Sequence, residues 1–91
     1  MLELYIENSY KKDLKRVVKQ GIKANIGADI IYRLQCQLPL DERQRNHALS
    51  GDYSGYYECK IMPDLLLVYK IVGNELHLVR IGSHTELFKK Y

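Results

Sequence analysis

Asp64, Arg80 and His84 flank or lie within a stretch whose pattern reads as a β-hairpin: Leu65–Val72, the turn Gly73-Asn74, then Glu75–Ile81. A two-residue turn containing glycine fixes the register of the strands it joins, so groups at strand ends are held relative to one another. His47 and Glu58 arrive from the preceding segment. Imidazoles, carboxylates and a guanidinium gathered in one place are the groups that move protons and stabilise charge at a phosphoryl centre.

Each of these residues also has an ordinary explanation. In Ile81-Gly82-Ser83-His84 the glycine ends the strand and frees the backbone to turn, which sets His84 at the edge of the sheet. An imidazole with an unperturbed pKa of about 6.5 exchanges protons near neutrality, although a lone one is usually just a surface residue. Arg80 shares its strand with Leu76, Leu78, Val79 and Ile81, and a cation in apolar surroundings needs an anionic partner. That partner is either Glu58 or Asp64 across the sheet, or a substrate phosphate gripped by the guanidinium fork. Asp64 follows Pro63, where a short acidic side chain serves a turn. Glu58 and Lys60 are two apart on one predicted strand, hence on one face, and can form a surface ion pair. His47 falls in a loop, and His77 reads as a packed or surface histidine without a special role.

The elements that must carry these groups follow from periodicity. Leu2, Leu4 and Ile6 alternate with Glu3, Tyr5 and Glu7, as in a strand with one buried face. Asn8-Ser9 offers an N-cap for a helix in which Tyr10, Leu14, Val17 and Val18 recur at helical spacing until Gly21 stops it. Ile22, Ile26, Ile30, Leu34 and Leu38 make a second helical stripe, interrupted by Gly27, that must end before Pro39. From Pro39 to Asp52 the sequence is polar and irregular and reads as a long connecting loop. Tyr57, Cys59 and Ile61 then alternate with Tyr56, Glu58 and Lys60, and Leu65–Val72 is apolar on both faces, as a central strand would be. The order β-α-α-β-β-β predicts an α+β fold with a helical pair packed on a largely antiparallel sheet.

Composition bounds the rest. Ninety-one residues, 46% of them hydrophobic, suit one domain that commits nearly all its apolar side chains to a single core. Cys36 and Cys59 are far apart, with no CxxC pair and no histidine at metal-ligand spacing, so they read as buried small hydrophobes rather than a disulfide or zinc site. The first residues carry acids inside an apolar run and no basic leader, and no run reaches the length of a membrane span; a cytoplasmic protein is expected. The net charge is only +3, but Lys11, Lys12, Lys15, Arg16 and Lys19 crowd one helix around a single acid, Asp13. That is either the solvated face of an amphipathic helix or a surface for a phosphate-rich partner.

Several stretches taken together resemble the YafQ-like branch of the RelE/ParE toxin superfamily. They are His47-Ala-Leu-Ser-Gly51, Gly55-Tyr56, Pro63-Asp64-Leu-Leu-Leu-Val-Tyr69-Lys70 and Arg80-Ile-Gly-Ser-His84-Thr-Glu-Leu-Phe88. The match is close from Pro39 to Phe88, and the N-terminal part agrees in element order and amphipathic pattern. The resemblance implies a single RelE-like domain over residues 1–91. It further implies a bacterial type II toxin that enters the ribosomal decoding site, cuts messenger RNA and is masked by a co-expressed antitoxin. The functional positions carried over are His47, Glu58, Lys60, Asp64, Arg80, His84 and Phe88. One departs from the pattern: Lys60 stands where the branch commonly has histidine, and a lysine with an ordinary pKa near 10.4 stays charged at neutral pH.

RNA brings its own nucleophile, the 2′-hydroxyl, so the protein need only align it, remove its proton, neutralise charge and protonate the leaving 5′-oxygen. In the implied reaction His84 is the general acid, and Asp64 or His47 assists deprotonation. Arg80 and Lys60 stabilise the phosphorane, Glu58 orients one of these cations, and Phe88 stacks on a base. Neither a metal nor another cofactor is called for, and the products are a 2′,3′-cyclic phosphate and a 5′-hydroxyl. Lys11, Lys15 and Lys19 would then hold ribosomal RNA phosphates. Two other functions suit the same fold: a ParE-like toxin directed at gyrase, and a non-catalytic module that binds RNA or protein.

Overall fold

In the computed structural model, which describes residues 1–88, the two apolar periods of the sequence meet in one cluster. Tyr10 and Val17 of α1 (Asn8–Lys19) and Ile30 and Leu34 of α2 (Ala28–Gln35) pack on Cys59, Leu67, Tyr69, Leu76, Leu78 and Ile81 of a sheet. Emptying the place of a fully enclosed aliphatic such as Leu67 costs roughly 2–5 kcal/mol, so this layer holds the sheet rigid beneath whatever is built on its other face. Val68 and Leu87 are buried outside the cluster, so β4 is covered on both faces as its apolar run requires.

The sheet contains β1 (Glu3–Ile6), β2 (His47–Ala48), β3 (Tyr57–Met62), β4 (Leu65–Val72) and β5 (Glu75–Gly82), in the spatial order β1-β5-β4-β3-β2. Only β1 runs parallel to its neighbour; the other pairings are antiparallel. The expected α+β architecture is the one adopted. A short third helix, α3 (His84–Phe88), closes the described chain. No helix among the described residues is long and apolar enough to cross a membrane.

The departures from the sequence reading are local. The stripe from Ile22 to Leu38 is helical only in α2, because Gly27 enters a left-handed conformation (φ 81°). A Cβ there would come within 2.9 Å of Ile61 Cδ1, so the glycine also allows close packing on β3. Ile22 and Ile26 still pack on the core, from a turn. Asn8 and Ser9 do not cap α1; the cap is Glu7, and Ser9 Oγ donates instead to the Val79 carbonyl at 2.6 Å. The Pro39–Asp52 loop holds β2 and two 3₁₀ turns, Glu42–Gln44 and Gly51–Tyr53, the first locked by reciprocal hydrogen bonds between Asp41 and Gln44. Cys59 is buried as expected, whereas Cys36 is only half-buried.

Candidate active site

Because Cys59 faces the helical core, its neighbour Glu58 faces the opposite side, and the pairing of His47 with Glu58 brings His47 to that side too. There a cleft of about 860 Å³ is lined by His47, Glu58, Tyr53, His84 and Phe88, with Leu49 and the Ser50–Asp52 turn on its rim.

The loop bearing His47 is pinned from both sides. Arg45, left-handed at φ 47°, turns its carbonyl onto His47 Nδ1 at 2.6 Å, and Asn46 Oδ1 accepts a 2.5 Å hydrogen bond from the buried Tyr69 hydroxyl. A carbonyl can only accept, so Nδ1 carries the proton in this bond and Nε2 is the nitrogen left for chemistry. Nε2 lies 3.5 Å from Glu58 Oε1, a carboxylate only 8% exposed. Glu58 therefore partners His47 rather than Lys60.

His84 is the first residue of α3, and α3 is held by a reciprocal cap. The Ser83 N–H donates to Glu86 Oε1 at 2.9 Å, and the Glu86 N–H donates to Ser83 Oγ at 3.1 Å. The Ser83 N–H, with help from Gln20 and Arg16, holds the Glu86 carboxyl below its usual range. Phe88 meets the His84 ring at 5.2 Å and the Tyr53 ring edge-on at 5.2 Å, so the aromatic wall of the cleft is fixed by packing. Gly82 admits this arrangement: a Cβ there would lie 2.8 Å from Arg16 Nη2 and 3.2 Å from Glu86 Oε1.

Arg80 reaches this face through a bulge. Val68 pairs with Arg80 but Tyr69 pairs with Leu78, leaving Val79 unmatched. Simple alternation would put Arg80 beside Leu76 and Leu78 in the core; the extra residue flips it to the side of Val68, Glu58 and His47. Its anionic partner is neither Glu58 nor Asp64 but Asp13 of α1. Arg80 donates from Nε to Asp13 Oδ2 at 2.5 Å and from Nη2 to Oδ1 at 3.2 Å, and the bond to Asp13 is the main cause of the guanidinium's raised pKa. Arg80 shares the face of Glu58 and His47 by its strand register but does not itself line the cleft.

Lys60, Asp64 and the lysines of α1 also lie outside the cleft. Lys60 lines a neighbouring depression with Arg43 and Arg45. Asp64, at φ 57° in the β3–β4 turn, lines another with Pro63, Ser83 and Thr85. Lys11, Lys15 and Lys19 flank Leu14 and Val18 on the exposed side of α1. The sequence reading missed Tyr53, Asp13 and the cap of α3. Asp13 was visible as the one acid in a basic helix, and Ser83-x-x-Glu86 as a capping signature.

Comparison with known proteins adds a family. The model of the family described as a bacterial toxin of type II toxin–antitoxin system, YafQ, matches residues 2–89. An mRNA interferase toxin YafQ from Escherichia coli K12 is 32% identical over 91 residues, covering 97% of this chain and 99% of that one. A metal-bound toxin from Helicobacter pylori has a similar structure with a TM-score of 0.88 at 40% identity, covering 97% of this chain and all of that one (100%). The E. coli DinJ–YafQ complex contains a chain matching at TM-score 0.85 and 27% identity, over 97% of this chain and 99% of that one. In the present chain no three histidine, cysteine, aspartate or glutamate side chains among the described residues come together as a metal-ligand set.

Proposed function

This chain belongs to the YafQ toxins of bacterial type II toxin–antitoxin systems, and from that premise we propose that it cuts ribosome-bound messenger RNA. It does so as a single RelE-like domain over residues 1–91, held inactive by a cognate antitoxin as the DinJ–YafQ pairing suggests for its relative. The observation that carries this reading is the convergence of two imidazoles from distant parts of the chain, His47 and His84, on one cleft with Glu58 and Phe88.

The RNA 2′-hydroxyl attacks the adjacent phosphorus; the P–O2′ bond forms and the P–O5′ bond breaks. His47 Nε2 takes the 2′-hydroxyl proton, its other nitrogen being committed to the Arg45 carbonyl. Of the two bases left open by the sequence, His47 is favoured over Asp64 because only His47 shares a cleft with His84. Glu58, 3.5 Å from Nε2, steadies the charge His47 acquires. His84 returns a proton to the departing 5′-oxygen. Arg80 keeps donors to spare beyond those given to Asp13 and offsets the charge growing on the phosphorane, while Phe88 stacks on a base. Every step uses groups of the protein or the RNA, so no metal is needed. Lys11, Lys15 and Lys19 give the protein a basic flank for ribosomal RNA phosphates.

Expression of the chain without an antitoxin should arrest growth and leave message fragments with 5′-hydroxyl ends, and His84→Ala should lower cutting about 100-fold or more. Arrest with intact messages and inhibited gyrase would instead mark a ParE-like toxin. RNA binding without fragments would mark a non-catalytic module.

A further inference from the structure

Next to the cleft, a depression of about 580 Å³ is lined by Arg43, Arg45 and Lys60, with Asp41 its lone acid. Asp41 is already engaged, accepting from the Arg43 N–H at 2.9 Å and from Arg43 Nε at 3.3 Å. Arg45 and Lys60 have no acidic partner among the described residues. Two unneutralised cations in one depression form a site for anions.

Both are tied to the cleft through the backbone. The Arg45 carbonyl is the group that fixes His47, and Lys60 follows Glu58 two residues along β3 on the same face. Two strand residues advance about 6.6–6.8 Å. That is close to one nucleotide step along an extended single strand, so an RNA whose scissile phosphate lies among His47, Glu58 and His84 passes a neighbouring phosphate over Lys60.

We propose that Arg45 and Lys60 bind a non-scissile phosphate of the RNA, one nucleotide from the bond that is cut. The inference rests on the nuclease reading above and changes one part of it. Lys60 holds the strand rather than serving the phosphorane, a task for which a permanent charge is suited and a proton-accepting histidine is not required.

The test uses the full chain and a fluorescent, fully 2′-O-methylated RNA oligonucleotide that cannot be cut, titrated across salt concentrations. Arg45→Gln with Lys60→Gln should weaken binding at low salt about tenfold or more. It should also reduce the slope of log K against log salt by about 0.7, the value for one phosphate contact on a single strand. Lys23→Gln with Arg33→Gln removes the same charge from exposed positions elsewhere and should leave the slope unchanged. On ribosome-bound message, the Arg45/Lys60 variant should raise the concentration needed for half-maximal cutting by a larger factor than it lowers the saturating single-turnover rate.

An unaltered slope, or equal losses in both double variants, overturns the proposal. So does normal binding with a collapsed saturating rate, which would return Lys60 to the scissile phosphate. A parental chain that binds with the Arg45/Lys60 dependence yet never cuts message would refute the nuclease reading and leave this site standing. One that cuts message but binds with no such dependence would do the reverse.

Discussion

Asp13 stands where a neighbouring strand would otherwise pair with β5. Its carboxylate takes two hydrogen bonds from Arg80 and a third, at 3.1 Å, from the buried Ile81 N–H, just beyond the point where β1 ceases to cover that edge. Arg16 joins in, donating to Asp13 at 3.2 Å and to the Ile81 carbonyl at 3.3 Å. Arg16 Nε also lies 2.9 Å from Glu86 Oε2, close enough for ionic attraction but not aligned as a hydrogen bond. A chain of charges thus runs from Arg80 through Asp13 and Arg16 to the cap of α3, linking the cation of the candidate site to the helix that presents His84.

Asp13→Ala should therefore be among the most harmful substitutions on α1. It strands the Ile81 N–H and leaves Arg80 without its anion, a loss of about 2–4 kcal/mol. For a domain of this size that lowers the melting temperature by roughly ten degrees or more. Thermal unfolding measures it, and a drop of only a degree or two would show that the edge is satisfied without the carboxylate.

Arg80→Lys tests the guanidinium itself. A lysine can keep the positive charge but cannot bond Asp13 through two nitrogens and still offer a third to the phosphate. Message cutting at saturation should fall about tenfold or more, with a smaller change in ribosome binding. Cutting at the parental rate would confine Arg80 to a structural role.

The cap of α3 depends on pH through Glu86. Glu86's folded pKa is depressed from 4.5, chiefly by the Ser83 N–H. Its contribution is thus fully present above the unfolded value and is lost as pH falls through the lower, folded value. Glu86→Gln should cost about 1 kcal/mol at pH 7, as capping residues do, and the gap between variant and parent should close at acid pH below the ordinary glutamate range. Urea unfolding of both proteins at neutral pH and at acid pH reads this directly. A gap that widens on acidification would contradict the sign.

How far this was legible in the sequence depends on which rule each element obeys. β3 was readable from period two, β4 from its apolar run and α1 from its helical spacing; β1 was readable as a strand, but the buried face expected for Leu4 and Ile6 is absent, since all four of its residues are exposed. Arg80 was not: its face is set by the bulge at Val79, and a single unmatched residue inverts alternation without leaving any compositional trace. Its partner Asp13 is 67 residues away, beyond any periodic pattern. The Pro39–Asp52 loop looked irregular because its order comes from side chains, Tyr69 on Asn46 and Asp41 on Gln44, rather than from repeating backbone bonds. The site's residue types were legible; which of them share a cleft depended on these long-range contacts.

The two thiols should behave oppositely. Burial pushes the Cys59 thiol up to about 12, with Glu58 adding to the effect, whereas Cys36 is half-buried. The thiolate is the reactive form, so at pH 8 an aromatic disulfide reagent should modify Cys36 quickly and Cys59 only as the protein unfolds. Two equally fast thiols would mean that β3 opens readily.

The hydroxyl of Tyr69 offers the sharpest test of how the His47 loop is held. Tyr69 is 3% exposed, and burial pushes its phenol to about 12, so it is a neutral donor to Asn46 at any ordinary pH. Tyr69→Phe keeps the ring and its stack on Tyr57 at 5.6 Å but releases Asn46, which is exposed and can bond water instead. The stability cost should be small, about 1 kcal/mol. The larger effect should be on chemistry, because Asn46 lies between Arg45, whose carbonyl fixes the His47 tautomer, and His47 itself. Single-turnover cutting should fall several-fold while oligonucleotide affinity holds. A variant that loses stability alone and cuts normally would show that the Arg45 carbonyl suffices to orient His47.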